Sequence, residues 1–235
     1  MNGRTGLFFA ILLAFASPSA AKELFYILPQ DAASVSMLPD PPADGSPAQQ
    51  AELAALHAIE AGRSEAQAEA ARADSDDKSI FVFRAVFGPS FTRESLPLTA
   101  ALGERIDGDS SANGRVAKKI FHRLHPYTFD QSLHTACKPH HAPEADAYPS
   151  GHALRGWLLG LTLAEMVPEK RQEIFVRAAD YAHNRLVCGM HYPSDVEASK
   201  PLAYAIHALM TRSPAYRRDL TAARAELRKA INLPD

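Results

Sequence analysis

The sequence has few residues of the kinds that mark specialised classes of protein. Its 235 residues include only two cysteines and one tryptophan, and 25 basic residues nearly balance 27 acidic ones, for a formal net charge of −2 at pH 7. Without an excess of positive charge the chain lacks the electrostatic attraction that draws proteins to nucleic acid, so we expect no nucleic-acid partner. A hydrophobic content of 46% predicts an ordinary globular protein with one sizeable core.

Long hydrophobic runs are also missing. Residues 7–16 form a short apolar run that follows Arg4 and precedes a series of small residues ending at Ala21. This order is typical of a secretory signal peptide, which predicts that residues 1–21 are the signal and are cleaved after Ala21. An uncleaved membrane anchor is the alternative, but the run falls short of the ~20 residues that a span needs. We therefore expect an exported chain without stable membrane insertion.

The two cysteines, Cys137 and Cys188, form an even pair. In an exported protein such a pair is typical of a disulfide. Closing a loop of about 50 residues stabilises a protein by roughly 4 kcal/mol in the chain-entropy treatment. We expect a Cys137–Cys188 disulfide, with two unpaired buried thiols as the alternative.

The remaining pattern is mostly helical. Ala, Glu and Leu dominate residues 51–73, which predicts a helix that is bent or broken at Gly62. Residues 80–87 form a nearly continuous apolar run that suits either a strand or a buried helix. Further helices are predicted over 93–106, 113–124, 152–166, 169–188, 194–207, with a kink near Pro201, and 214–230.

These elements predict an all-α protein. No internal repeat is evident, and no segment other than the one ambiguous run suggests a strand. We expect a single-domain helical bundle over residues 51–235. An extended, proline-rich segment is expected at residues 22–50, where Pro, Asp and Gly disfavour a helix.

The stretch Pro-Ser-Gly-His, residues 149–152, stands directly before the long apolar helix predicted from residue 152. The first turn of a helix has N–H groups without partners in the helix and readily binds anions. Ser150 and the N–H of Gly151 can donate hydrogen bonds to such an anion, and His152 can donate a proton to the group attached to it. This stretch therefore predicts a phosphate-handling site.

A second group of chemically active residues lies in the stretch NRLVCGMHYPSD. Asp195 follows His191 by four residues, and if Ser194 caps the next helix, Asp195 lies in its first turn. The carboxylate can then accept from one imidazole nitrogen and leave the other to attack a substrate. Phosphoryl transfer also needs cations around the phosphoryl oxygens, which Arg185 and Lys118 can supply.

Together these motifs resemble the type 2 phosphatidic acid phosphatase superfamily, which is related to the vanadium haloperoxidases. The resemblance consists of three parts: Lys118 followed after six residues by a basic residue and proline, then Pro-Ser-Gly-His, then the spacing of Arg185, His191 and Asp195. The chain is more closely similar to the bacterial class A non-specific acid phosphatases, in LPDPPADGSPAQQAEL, YPSGHALRGWLLGLTLAEMVP and CGMHYPSDVEA. This likeness extends over most of the mature chain.

The resemblance implies a helical fold, a periplasmic location and catalysis without a metal or other cofactor. It implies that His191 forms a phosphohistidine intermediate, that Asp195 orients it, and that His152 is the general acid. The implied phosphate-binding residues are Lys118, Ser150, Gly151 and Arg185. We therefore predict a periplasmic acid phosphatase whose partners are small phosphomonoesters. Its alanine-rich helical faces also offer a surface through which the chain could form a homo-oligomer.

Two other functions stay open at this stage. A vanadate-dependent haloperoxidase has similar anion-site residues, although this chain is short for that group. A non-catalytic phosphate- or metal-binding protein is the other alternative, because the loop His134–His141, with Glu144 and Asp146 nearby, could hold zinc or copper. Two observations argue against a metal site: Cys137 has a disulfide partner, and the two adjacent histidines of this loop cannot easily face one ion.

Two positions depart from the family pattern. Asn184 stands where the family commonly has serine, and its amide still offers hydrogen bonds. His125 stands where the family has arginine, and a neutral imidazole cannot replace a charged, bidentate guanidinium. Arg123 lies two positions earlier, which on a helix is a rotation of about 200° and points it to the opposite face. We therefore expect His125 itself to bind phosphate, as an imidazolium.

Replacing His125 with arginine tests this hypothesis. The imidazolium loses its proton as pH rises, so the phosphate affinity of the wild-type protein is expected to fall above neutral pH, whereas a guanidinium keeps its charge. The KM for p-nitrophenyl phosphate is therefore expected to rise with pH in the wild type and to stay nearly constant in His125→Arg. An identical pH dependence of KM in both proteins would contradict the hypothesis.

Overall fold

The computed structural model describes residues 25–27, 38–139 and 145–234, and all regular secondary structure within these ranges is helical. The predicted all-α fold is therefore confirmed. None of the helices in the described ranges is both long and apolar enough to cross a bilayer. The signal peptide predicted at residues 1–21 lies outside the described residues.

The described part of the chain forms nine α-helices. They are α1 (Pro47–Gly62), α2 (Glu65–Asp76), α3 (Arg84–Phe87), α4 (Pro97–Phe121), α5 (Pro126–Phe129), α6 (Gly151–Met166), α7 (Arg171–Val187), α8 (Pro193–Met210) and α9 (Pro214–Ala230). Two short 3₁₀ helices, Ile80–Phe83 and Pro168–Lys170, precede α3 and α7. Five of the nine α-helices begin at proline. Proline suits the first helical position because it has no N–H, and an N–H at that position has no acceptor within the helix.

Helix α6 is the centre of the fold. It begins after the cap residue Ser150, whose Oγ accepts the Ala153 N–H at 3.4 Å. Almost all of its length is buried, and α4, α7, α8 and α9 pack around it. Burying a leucine side chain such as Leu154 or Leu158 stabilises the fold by roughly 1.5–3 kcal/mol. The core therefore holds the N-terminus of α6 in a defined position.

Two glycines let α7 approach α6 closely. Gly156 and Gly160 are four residues apart and share one face of α6. A Cβ atom on Gly156 would lie 2.6 Å from Cδ1 of Tyr181, and one on Gly160 would lie 3.1 Å from Cβ of Ala178. These small residues therefore set the distance between the two helices that carry the Pro-Ser-Gly-His motif and Arg185.

Helix α4 corrects one prediction. We predicted two helices between residues 93 and 124, separated by the stretch GDSSANG, but α4 is one helix over Pro97–Phe121. The small and polar residues of this stretch have a low helix propensity, but most of them are buried. Their packing in the core stabilises the helix more than the low propensity destabilises it. The side-chain amide of Asn113 donates to the backbone oxygen of Asp109 at 2.7 Å, and at Gly114 an added Cβ would lie 3.4 Å from a core leucine.

The ends of other helices differ from the predictions by a few residues. Helix α1 begins at Pro47, inside the segment expected to be extended, because Ser46 caps it. The predicted break at Gly62 is confirmed, since α1 ends there and α2 begins at Glu65. The ambiguous apolar run at 80–87 is helical. Helix α4 ends three residues earlier than predicted, because the residue after Phe121 has a left-handed φ of 47°.

The predicted disulfide is present. Cys137 and Cys188 are joined across 51 residues of sequence. The backbone N–H of Ala136 also donates to the Cys188 oxygen at 3.0 Å. The segment that precedes α6 is thereby joined to the end of α7.

Adding a methyl group at Gly156 tests the close packing of α6 on α7. Gly156→Ala is expected to lower the free energy of unfolding by about 1–3 kcal/mol, because its Cβ overlaps the Tyr181 ring. Gly62→Ala is the matched control, since a Cβ there meets no atom within 4 Å and gains up to about 1 kcal/mol of helix propensity. Urea unfolding followed by circular dichroism measures both. Wild-type stability in Gly156→Ala would show that the contact is not tight.

Candidate active site

A cleft of about 700 Å³ opens beside the N-terminus of α6. The last turns of α4 and α7, the first turn of α6 and the segment before α8 contribute to its walls. Six of the predicted site residues line it: Lys118, His125, Gly151, His152, Arg185 and His191. Ser150 and Asp195 are fully buried beside these residues. The structure thus brings together three motifs that are far apart in sequence.

His191 and Asp195 form the hydrogen-bonded pair that their spacing predicted. Nδ1 of His191 lies 3.3 Å from Oδ2 of Asp195. Because an ionised carboxylate only accepts, this contact requires the proton on Nδ1 and leaves the lone pair on Nε2. Burial lowers the pKa of His191 well below its usual range, and the positive charge of nearby His125 and Arg185 lowers it further. Both effects favour the neutral form of the imidazole.

Asp195 occupies the first turn of α8, as predicted, but Ser194 does not cap that helix. The cap residue is Tyr192, whose backbone N–H donates to Oδ2 of Asp195 at 2.9 Å. Oδ1 of Asp195 accepts from the guanidinium of Arg123 at 2.6 Å. Burial raises the pKa of Asp195, and the charge of Arg123 opposes that shift.

Arg123 does not face away from the site, which corrects the argument from helical rotation. That argument failed because α4 ends before Arg123, so the rotation of a helix does not apply. Its guanidinium is buried, donates to Oγ of Ser194 at 2.7 Å and to Oε2 of Glu52 at 2.6 Å, and lies 3.9 Å from the Tyr192 ring centre. Arg123 is a positioning residue behind Asp195. Pro126 was the available signal, since the residue before a proline is disfavoured in a helix.

The start of α6 is tied to α8 through the backbone. The Ser150 N–H donates to the backbone oxygen of Asp195 at 3.0 Å. The backbone oxygen of Ser150 accepts from the hydroxyl of Ser199 at 2.9 Å. Oγ of Ser150 accepts from the helix, but its hydroxyl hydrogen can still donate. At Gly151 an added Cβ would lie 3.9 Å from Cε of Lys118. The predicted phosphate donors therefore lie beside the ammonium group.

His152 lies on the first turn of α6, on the wall of the cleft. Its Nε2 lies 3.1 Å from the backbone oxygen of Ser75, so this nitrogen carries a proton and donates. Burial lowers the pKa of His152 well below its usual range, and the charge of Arg185 acts in the same direction. A bound anion has the opposite effect, because it stabilises the protonated ring.

Arg185, on the last turn of α7, is a buried cation of the cleft. Burial lowers its pKa to about 10, so the guanidinium keeps its charge at neutral pH. Its Nε is buried and has no hydrogen-bond partner in the described structure. An unpaired buried donor is costly, and an anion in the cleft is suited to satisfy it. The neighbouring Asn184 does offer a hydrogen bond, as predicted, and donates to Oδ2 of Asp74 at 2.7 Å.

His125 lines the cleft with both ring nitrogens engaged. Nδ1 lies 2.7 Å from the Met190 oxygen, and Nε2 lies 2.9 Å from Oδ1 of Asp146. A backbone oxygen and an ionised carboxylate both accept, so each of these contacts calls for an N–H on the ring. Both ring nitrogens of the residue that we expected to bind phosphate are therefore already engaged by acceptors of the protein.

Asp146 is a site residue that the sequence analysis missed, since it was considered there only as a metal ligand. It also contacts Lys118, whose Nζ donates to the Asp146 backbone oxygen and lies 3.4 Å from Oδ2. The hydrogen bond with His125 lowers the pKa of Asp146 below its usual range, and the charge of Lys118 lowers it further. It is the only carboxylate among the described residues that line the cleft.

Positive charge dominates the cleft. Six basic side chains line it: Lys78, Arg115, Lys118, Lys119, Arg155 and Arg185. A concave surface lined with positive charge concentrates anions and guides them inward. The cleft is therefore suited to an anionic substrate.

The predicted metal alternative is only partly within the described structure. His140, His141 and Glu144 lie outside the described residues. His134 pairs with Glu60 at 2.7 Å, and Cys137 is in the disulfide and cannot act as a thiolate ligand. The described ranges contain no group of three or more His, Cys, Asp and Glu residues arranged to hold a metal ion.

The chain matches a known protein family and several known proteins. Residues 100–219, just over half of the chain, match the family model of the PAP2 superfamily. A non-specific acid phosphatase from Salmonella typhimurium is 34% identical over 120 residues, which cover 50% of this chain and 47% of that protein. A non-specific acid phosphatase from Salmonella typhi is 28% identical over 242 residues, covering 99% of this chain and 96% of that protein.

Two further matches cover most of the chain. A non-specific acid phosphatase from Providencia stuartii is 28% identical over 88% of this chain and 86% of that protein. A solved structure, a transmembrane PAP2 type phosphatidylglycerolphosphate phosphatase from Bacillus subtilis, covers 72% of this chain and 87% of its own at 17% identity and a TM-score of 0.49. The resemblance inferred from the motifs is confirmed: the chain belongs to the PAP2 superfamily and is similar to bacterial non-specific acid phosphatases.

Proposed function

We propose that this protein is a periplasmic acid phosphatase that hydrolyses small phosphomonoesters through a phosphohistidine formed on His191. The general part of this proposal, that the chain is a phosphatase, is confirmed by the family match and by the relatives named non-specific acid phosphatase. One observation carries the mechanism. His191, oriented by Asp195, lines the same cationic cleft as His152 and as Arg185, whose Nε is unpaired.

The first step is binding of the substrate phosphoryl group. Arg185 has a buried donor without a partner, and Lys118 brings a second positive charge beside Gly151. The first turn of α6 adds backbone N–H groups and the positive end of the helix dipole. Cations and preformed donors of this kind stabilise the charge on the phosphoryl oxygens as the transition state forms.

Phosphoryl transfer then takes place in two steps. Nε2 of His191 attacks phosphorus and forms the P–N bond, while the P–O bond to the alcohol breaks and His152 gives its proton to the leaving oxygen. Water next attacks phosphorus and gives its proton to His152, while the P–N bond breaks and its electron pair returns to Nε2 of His191. Phosphate is released and both rings return to their starting states. Throughout, Asp195 accepts from Nδ1 and stabilises the positive charge that develops on His191.

The protonation states determine the expected pH range. His191 must be neutral to attack, and burial together with nearby cations favours that form. His152 must be protonated to act as an acid, although burial disfavours this form in the free enzyme. A bound phosphoryl group raises the pKa of His152 because it brings negative charge into the cleft. The rate is therefore expected to be bell-shaped with pH and highest under acidic conditions.

Two features support the proposed periplasmic location. The N-terminal 21 residues have the order of charge, apolar run and small residues of a signal peptide. The Cys137–Cys188 disulfide suits an oxidising compartment such as the periplasm. The homo-oligomer stays a prediction.

Replacing His191 with alanine tests the nucleophile. The mature wild-type chain is expected to release p-nitrophenol from p-nitrophenyl phosphate between about pH 4 and 8 with a bell-shaped profile that EDTA leaves unchanged. His191→Ala is expected to lose about 10³-fold or more of the rate, because the imidazole that attacks phosphorus is removed.

His183→Ala is the matched control, because His183 is exposed on the same helix as Arg185. It is expected to keep the wild-type rate. Trapping of acid-labile phosphate on the wild type, and not on His191→Ala, would identify the intermediate. Full activity in a folded His191→Ala protein, or loss of wild-type activity in EDTA, would contradict the proposed mechanism.

Replacing Arg123 tests its positioning role. Without this charge the pKa of Asp195 rises further, so the carboxylate becomes protonated at higher pH and no longer accepts from His191. The acid limb of kcat/KM is therefore expected to move to higher pH in Arg123→Met, by about one unit or more, and Arg123→Lys is expected to restore part of the shift. The variant also loses stability, about 3–5 kcal/mol, so circular dichroism must show that it is folded under the assay conditions. An acid limb at the wild-type position would contradict this role.

A further inference from the structure

One carboxylate engages two of the three cations that are proposed to bind phosphate. Oδ1 of Asp146 lies 2.9 Å from Nε2 of His125, and Oδ2 lies 3.4 Å from Nζ of Lys118. The side chains of the two cations are largely buried, with 12% and 17% of their surface exposed, whereas that of Asp146 is 33% exposed. The carboxylate therefore reaches the two cations from the rim of the cleft.

Neither cation depends on this carboxylate alone. Nδ1 of His125 donates to the Met190 backbone oxygen at 2.7 Å, and Nζ of Lys118 donates to the backbone oxygen of Asp146. If the Asp146 side chain turns away, each cation keeps one backbone acceptor and turns its free donors and charge towards the cleft. The carboxylate is thus the exchangeable partner of both.

A phosphoryl group can take the place of the carboxylate. It accepts hydrogen bonds as a carboxylate does, but it has three oxygens and about −1.5 to −2 charge at neutral pH, against −1 for aspartate. A group with more charge and more acceptors interacts more strongly with the same two donors. An incoming phosphomonoester can therefore displace the carboxylate, while a weakly charged anion gains less from doing so.

We propose that the Asp146 carboxylate is a built-in competitor of the substrate, which occupies the phosphoryl position between Lys118 and His125 until a phosphomonoester displaces it. This inference rests on the proposed function, because it takes these two residues as phosphate ligands. Asp146 thereby sets the affinity of the cleft for both substrate and product. If the carboxylate holds the position nine-tenths of the time, the apparent Kd for phosphate is raised about ten-fold.

Binding of inorganic phosphate to the mature chain tests the inference. By isothermal titration calorimetry near pH 7, Asp146→Asn is expected to bind phosphate about ten-fold more tightly than the wild type, and its KM for p-nitrophenyl phosphate is expected to fall by a similar factor. The asparagine keeps the shape of the side chain and the backbone oxygen that Lys118 uses, but it lacks the competing charge. Asp146→Ser, which shortens the side chain, is also expected to bind phosphate more tightly than the wild type.

Glu197→Gln is the matched control. It removes one negative charge from an exposed position of α8, the helix that also carries Asp195, and it is expected to leave the Kd for phosphate within about two-fold of the wild type. Thermal unfolding by circular dichroism verifies that all variants are folded.

The outcomes separate this inference from the proposed function. If the wild type binds phosphate and both Asp146 variants bind it equally or more weakly, the carboxylate supports the anion site instead of competing for it, and the inference is overturned while the proposed function stands. If neither the wild type nor the Asp146 variants bind phosphate, the proposed anion site is itself wrong, and the inference falls with it. Tighter binding in Asp146→Asn and Asp146→Ser, but not in Glu197→Gln, supports the inference.

Discussion

The buried carboxylate of Asp195 is the group on which the arrangement of the site depends. It has no contact with solvent, so its charge is tolerated only because donors surround it: the guanidinium of Arg123, the backbone N–H of Tyr192 and Nδ1 of His191. The backbone oxygen of the same residue accepts from the N–H of Ser150. One residue therefore positions the proposed nucleophile, the start of α8 and the first turn of α6 together.

The cations of the cleft follow a similar rule. A buried positive charge needs an anionic or polar partner, and the free protein supplies these partners unequally. Asp146 satisfies Lys118 and His125, while Nε of Arg185 has no partner in the described part of the chain. His125 and Lys118 thus share one carboxylate at the edge of the cleft. In the absence of substrate, the charge offered to an anion is lower than the number of cations suggests.

Local patterns allowed much of the fold and site to be predicted. The helical character, the break at Gly62 and the disulfide follow from composition, turn residues and cysteine pairing, which act over short distances or through a single bond. The two predicted helices that form the single α4 show where this reasoning ends. The small and polar residues after residue 107 disfavour a helix on their own, but burial against α6 and the bond from Asn113 to Asp109 hold the helix together.

The sequence by itself determined which reactive residue types are present and at what spacing, because pairs such as His191 and Asp195 are visible without a fold. Only the tertiary structure decided which charges face one another. The places of Arg123 behind Asp195 and of Asp146 between two cations depend on where α4 ends and on how the segment before α6 approaches the cleft. The physical reason is that electrostatic partners are selected by distance in space and by burial, and neither quantity can be read from spacing along the chain.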